Sequence, residues 1–316
     1  MIGRRSFLAS AVALAACSRR ESTPATEPPA AKPPPLPPTV TPEVVEAGTG
    51  PRGQVGMETW TFDGGGRAVA LVPGWMKQGE RMPLLVALHG RGEANKGPAE
   101  GVMGWPRDYA LLRAITRVCA PPLTSDDLEG FVDPKRLAAH NEALAAQPFR
   151  GLVVLCPYSP DVDLRKPPQI REYGDYLMRS VLPRAKKELP VIEAPGAVGI
   201  DGVSLGGALA LRIGLGHADA FGAVGTLQPA IGEDQVADYT DLAKAARARN
   251  AKLQLRLLTS DKDYFKSAIR LTSAGWRNAG VTHDFVEIPG PHDYPFNRGP
   301  GAIEMLLWHD RVLARA

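Results

Sequence analysis

Six short apolar runs recur along the chain, at 83–88, 151–156, 197–200, 221–227, 253–259 and 284–288. No other feature restricts the fold as much. Each is too short for a buried helix, and most stop at Gly, Pro or another turn residue, as buried strands do. The stretches between them carry helical spacing. Residues 175–189 put Met178, Val181, Leu182, Ala185 and Leu189 on one face, with a kink expected at Pro183. Residues 108–118, 206–215 and 302–314 also read as helices. Asp133-Pro134 opens another, as an N-cap followed by Pro in the first turn. Strands alternating with helices imply an α/β fold, with a mostly parallel central sheet and helices on both faces. Residues 93–150 are long for one crossover. They are expected to form an insertion over the carboxyl ends of the strands, where it would shape a pocket.

The first 50 residues do not share this pattern. Arg4-Arg5-Ser6-Phe7-Leu8 precedes a short apolar stretch and resembles a twin-arginine export signal. Leu14-Ala15-Ala16-Cys17 closes that stretch and resembles a lipobox, in which Cys17 is lipidated and becomes the first residue. Pro24, Pro28, Pro29, Pro33, Pro34, Pro35, Pro37, Pro38 and Pro42 then fall within 19 positions. So dense a proline run makes a semi-rigid, polyproline-II-like spacer rather than a core. Residues 1–16 are therefore read as a signal peptide, 17–50 as a lipidated cysteine with its spacer, and 51–316 as the folded domain. The expected location is the bacterial cell envelope, with membrane contact through the lipid anchor.

Composition removes several classes of function. Lys and Arg number 37 and Asp and Glu 34, a formal net charge of +3. That balance excludes a strongly basic protein that coats nucleic acid, so no nucleic-acid partner is expected. Three cysteines are too few for a disulfide scaffold. No apolar run approaches the roughly 18 residues of a transmembrane helix.

The chemistry concentrates in Gly202-Val203-Ser204-Leu205-Gly206, a G-x-S-x-G pattern between a buried strand and a helix. A strand-to-helix turn this sharp strains its central residue and leaves no room for side chains two positions away, which Gly202 and Gly206 satisfy. It lifts the Ser204 hydroxyl above the sheet edge and aims the Leu205 N–H at a reacting carbonyl oxygen. A serine hydroxyl is weak until a base takes its proton, and the base needs an orienting acid. An elbow of this kind implies the chain order Ser, acid, His. His89 and His140 precede the serine, His217 follows it too closely, His283 opens a strand and His309 lies in the terminal helix. His292, in the loop Pro289-Gly290-Pro291-His292-Asp293 after the last strand, is the candidate base. The acid belongs just after the strand ending at Thr259, where Asp263 is preferred and Asp261 is the alternative. His89-Gly90-Arg91-Gly92 follows the early strand. The Arg91 N–H is the second candidate oxyanion donor, with glycines on either side allowing close backbone approach to substrate.

Taken together, these residues resemble the α/β-hydrolase fold over roughly residues 65–315. Within it they resemble the esterase group that includes esterase D, feruloyl and acetyl xylan esterases, enterochelin esterases and mycolyltransferases. Tyr176 to Pro183 looks like that group's helix ending in Leu-Pro. Residues 217–224 look like its His-Pro-x-x-Phe-x-x-Val segment, and Gly290-Pro291-His292-Asp293 like its Gly-Gly-His-Asp segment. The chain departs from the pattern at Gln228, where Ser is frequent, and at Asp201 before the elbow.

The resemblance implies a serine hydrolase cleaving carboxylic esters. Ser204 attacks, His292 acts as base, Asp263 orients it, and Leu205 and Arg91 form the oxyanion hole. A small-molecule or polymer-linked ester is the expected substrate. No metal or phosphate-binding motif is present in the sequence, so no cofactor is expected. An acyltransferase or peptidase on the same residues, or a non-catalytic binding lipoprotein, are the alternatives. The anchor reading has its own test. Cys17→Ser is expected to abolish fatty-acid incorporation in labelled cells, and unchanged labelling would contradict it.

Overall fold

The computed structural model describes residues 51–314, so the signal sequence, Cys17 and the proline-rich spacer lie outside the described residues. Eight strands form one sheet: β1 (Val55–Thr61), β2 (Arg67–Pro73), β3 (Leu84–Leu88), β4 (Val153–Pro157), β5 (Val198–Gly202), β6 (Ala223–Val224), β7 (Gln254–Lys262) and β8 (Asp284–Pro291). Their spatial order is β1-β2-β4-β3-β5-β6-β7-β8. From β4 to β8 every pairing is parallel, while β1 and β2 join antiparallel at one edge.

The interior strands are buried on both faces, which is why they read as unbroken apolar runs. In β3, Leu84, Val86 and Leu88 enter one core cluster while Leu85 and Ala87 enter the other. The first cluster lies under α5 (Pro167–Tyr176), α6 (Leu182–Glu188), α7 (Leu205–Gly216), α8 (Val236–Arg249) and α9 (Lys266–Asn278). The second lies under α3 (Leu111–Cys119), α4 (Pro134–Ala146) and α11 (Ala302–Val312).

Several expectations change in detail. The antiparallel pair β1 and β2 was not expected. The edge strand β1 is half-solvated and carries no apolar run, and its turn signal is Gly64-Gly65-Gly66. The run 221–227 pairs over only two residues, because the chain then turns away to bridge Leu227 with Val203 and Leu258. Pro183 does not break its helix. A π turn over Leu177–Val181 joins α5 to α6, and this widened turn falls where the proline ring would meet the carbonyl of Arg179.

The long segment 93–150 divides between two jobs. Its first part, α1 (Arg91–Ala94), α2 (Gly97–Gly101) and the π turn Gly104–Asp108, lies beside the nucleophile elbow. Its second part is not over the strand ends as expected. Leu111, Ile115, Val118, Leu144 and Phe149 are buried with Ile303 and Leu306 and complete one face of the sheet. Asp133 caps α4 as expected, its side chain accepting from Lys135 N and Arg136 N. Asp133→Ala should remove about 1 kcal/mol of stability. In a domain of this size that is a fall of about 2–4 °C in thermal midpoint, measurable by calorimetry with ester turnover unchanged.

Candidate active site

Ser204 sits between β5 and α7 with φ 56° and ψ −118°, a conformation that a non-glycine residue holds only under constraint. The constraint is visible. Its N–H donates to the Leu227 carbonyl at 3.0 Å and its own carbonyl accepts from Ala230 N at 2.9 Å. A Cβ on Gly206 would stand 2.4 Å from the Leu88 carbonyl oxygen, and one on Gly202 would stand 2.5 Å from the Gly206 backbone. Glycine at both positions is therefore what lets α7 begin against β3. Leu205 is the first residue of α7, so its N–H has no partner one turn back within the helix.

The carboxylate that meets the base is Asp263. His292 Nδ1 lies 2.9 Å from Asp263 Oδ1, and both side chains are almost wholly buried. Asp263 is itself held by Thr259 Oγ1, donating to Oδ2 at 2.7 Å, and by Phe265 N, donating to Oδ1 at 3.0 Å. These bonds hold the Asp263 carboxyl in orientation for the imidazole N–H. Asp261 does something else. It accepts from the Gly290 N–H at 2.8 Å and so tethers the backbone of the base loop. The rings of Tyr264 and Phe265 flank His292 at 4.3 and 5.5 Å between centroids.

Ser204 Oγ is buried and makes no hydrogen bond. The contact to His292 that proton transfer requires is thus not made in this conformation, and such bonds commonly tighten only with substrate in place. What holds the two loops together is Gln228. Its amide nitrogen donates to Ser260 Oγ at 2.6 Å and to the Pro291 carbonyl at 2.9 Å, while its own backbone follows Leu227, the acceptor for Ser204 N. The departure from Ser at 228 thus places a longer side chain between elbow and base loop. The sequence marked the position as unusual without revealing this role.

Arg91 opens α1 directly after Gly90, and a Cβ on Gly90 would lie 3.6 Å from Ser204 Cβ. The expected oxyanion loop is therefore beside the nucleophile. One expectation about it needs correcting. Gly92 was read as making room for substrate, but its bare face meets the Tyr294 hydroxyl, 3.0 Å from where a Cβ would be. The Arg91 side chain pairs with Asp161 at 2.9 Å.

The remaining histidines have structural settings. His89 is buried between Gly90 O at 3.0 Å and Ser159 N at 2.9 Å, and burial drives its pKa down to about 4, so the ring stays neutral. His309 and Arg256 both contact the Asp201 carboxylate, at 2.9 and 3.1 Å, inside the sheet–α11 layer. Asp201 is thus a partner in a buried ion network, not part of the candidate site. His140 meets Glu304, and His283 meets Ser273. Among the described residues, no cluster of His, Cys, Asp or Glu is arranged to hold a metal ion.

No protein-family model matches the sequence, and no curated protein matches it. Solved structures do. A ferulic acid esterase superposes with a TM-score of 0.57 at 16% identity, covering 83% of this chain and 98% of its own. An S-formylglutathione hydrolase from Staphylococcus aureus gives 0.57 at 14% identity, covering 85% and 100%. A fluorophosphonate-binding serine hydrolase of the same organism gives 0.56 at 14%, covering 81% and 98%. With the sheet order above, these likenesses establish that the chain has the α/β-hydrolase fold.

The geometry separates the two carboxylates experimentally. Asp263→Asn should lower kcat by about 10³- to 10⁴-fold, because the imidazole loses its counter-charge and its correct tautomer. Asp261→Asn, which keeps a side-chain oxygen able to accept from the Gly290 N–H, should cost less than about tenfold. Steady-state assays on one chromogenic ester read both, and a reversed order would exchange their roles.

Proposed function

We propose that the protein is a serine hydrolase that cleaves carboxylic esters through an acyl-enzyme. The observation that carries this reading is a strained serine at a strand–helix elbow, in one chain with a histidine whose Nδ1 is held by a buried carboxylate. No binding role needs that combination. Ser204 attacks the ester carbonyl as His292 takes its proton, and the developing oxyanion is received by the N–H groups of Leu205 and Arg91. His292 then protonates the leaving alcohol, and water repeats the sequence on the acyl-enzyme. Every step uses side chains and peptide groups of this chain.

A cavity of about 470 Å³ opens beside α1, lined by Tyr158, Tyr173, Tyr176, Asp161 and Glu172 among others. Neither this cavity nor a second, of about 400 Å³ between α4, β8 and α11, is lined by a candidate site residue. Anchoring of this domain to a membrane through Cys17 and its proline-rich spacer remains part of the proposal, supported by the sequence pattern described above.

Ser204→Ala should abolish ester hydrolysis, a loss on the order of 10⁴-fold or more in kcat, and should abolish labelling by a fluorophosphonate probe while leaving the melting temperature within about a degree or two. A variant that kept a tenth of wild-type turnover would sink the assignment. A panel of acetyl, feruloyl and longer-chain esters, each with neutral and anionic alcohols, would then define the substrate.

A further inference from the structure

The ester-hydrolysis mechanism leaves one buried carboxylate unused. Glu93, in α1, is almost wholly buried within two residues of Arg91. Two phenols converge on it from opposite walls of the candidate site. The Tyr109 hydroxyl donates to one carboxylate oxygen, and the Tyr294 hydroxyl donates to the other at 2.6 Å. Tyr109 also accepts from the Gly90 N–H at 3.2 Å, so it grips the oxyanion loop. Tyr294 lies two positions beyond His292, opening the short helix α10 (Tyr294–Phe296), and packs on the open face of Gly92. The chain Gly90–Tyr109–Glu93–Tyr294 therefore runs from the oxyanion loop to the base loop, bridging segments 201 residues apart in sequence.

We propose that Glu93 is a positioning residue, whose carboxylate, through Tyr109 and Tyr294, fixes the oxyanion loop and the His292 loop relative to each other. The proposal rests on the ester-hydrolase reading above. Its physical basis is that the nucleophile with its Leu205 donor, the Arg91 donor and the base sit on three separate loops, and catalysis fails when they drift by a fraction of an ångström. Gln228 joins the elbow to the base loop. Glu93 supplies the remaining side of the triangle.

Ionised, the carboxylate accepts from both phenols at once; protonated, it would carry a donor on one oxygen, and the phenol there would have to turn from donor to acceptor. Burial pushes the Glu93 carboxyl up to about 7, opposed by the Tyr294 bond and by Lys96, whose Nζ is 3.5 Å away. Around it stand Lys96, Asp108 and Arg107 from the neighbouring turns, His89 from the end of β3, Tyr158 from beyond β4, and Asp293 and Arg298 from the base-loop segment. Asp108 is engaged by Lys96 at 2.8 Å and by Arg107 at 2.8 Å, so the closest net charge facing Glu93 is cationic. The sign of the linkage follows. A carboxyl whose folded pKa exceeds its unfolded value stabilises the fold at acid pH, and that contribution is lost as pH rises through about 7. Ionised Glu93 is thus held at a cost in stability, which a residue kept for packing alone would not incur.

Glu93→Gln keeps the shape and removes the charge. At pH 8 it is expected to lower kcat by about ten- to a hundredfold, the range for small misplacement of catalytic groups, with a melting temperature equal to or above that of the wild type. The acid limb of the wild-type kcat profile should include a required deprotonation of Glu93 that is missing from the variant. The rate of fluorophosphonate labelling at Ser204 should slow in parallel. Tyr294→Phe, which cuts one arm and leaves the carboxylate, should reproduce a smaller loss and serves if the first variant does not fold. Wild-type kcat and an unchanged acid limb in Glu93→Gln, or wild-type kcat in Tyr294→Phe, would overturn the proposal. So would a fall in kcat matched by a large fall in melting temperature, which would make Glu93 a support of the fold alone. Wild-type protein inert to both ester and probe would instead overturn the hydrolase reading, and this proposal with it.

Discussion

The contact on which the site depends is the approach of α7 to the carboxyl ends of β3 and β5. Gly206 packs so near the Leu88 and His89 carbonyls that any side chain there would overlap backbone. That closeness makes the turn at Ser204 sharp, and the sharp turn forces its φ and ψ out of the ordinary regions. The strain is sustained because backbone bonds at Ser204 N and O tie it to Leu227 and Ala230, in the segment that follows β6. Sheet, elbow and helix are therefore one mechanical unit, and the remaining parts of the site are hung from it by side chains.

Those hangers differ in kind. Asp263 is held by one hydroxyl and one peptide N–H, so its orientation comes from within its own strand end. The His292 loop is held from three directions: by Asp261 at Gly290, by Gln228 at Pro291 and by Glu93 at Tyr294. A loop that presents an imidazole to a buried carboxylate needs such fixing, because loops otherwise have the lowest local stability in a fold. The histidines outside the site show the contrast. His89 and His309 are buried and held neutral or paired by their surroundings, which suits a structural role and not proton shuttling.

The segment 93–150 shows how an insertion in a crossover becomes part of the core. Its helices carry enough buried Leu, Ile and Val to close one face of the sheet with α11. A loop of that length without such burial would have no means of offsetting its conformational entropy. Only its first turns remain at the strand ends, and these are the turns that contain Glu93 and Tyr109.

The sequence by itself determined the sheet, the elbow and the order of the candidate residues. Buried strands need unbroken apolar runs, the turn at Ser204 needs glycines at fixed offsets, and both demands are local and written in adjacent letters. It also favoured Asp263 over Asp261, and the hydrogen bond to His292 falls on Asp263. The edge strand β1 escaped because a half-solvated strand need not be apolar, whereas β2, buried from Ala68 to Leu71, is an apolar run outside the six read as strands. What only the tertiary structure decided are the contacts across sequence: Gln228 with Pro291, Asp201 with Arg256 and His309, Glu93 with Tyr109 and Tyr294. A Glu five residues after a strand has no periodicity to mark it. Its role follows from a phenol 201 positions away, and only the folded chain brings the two together.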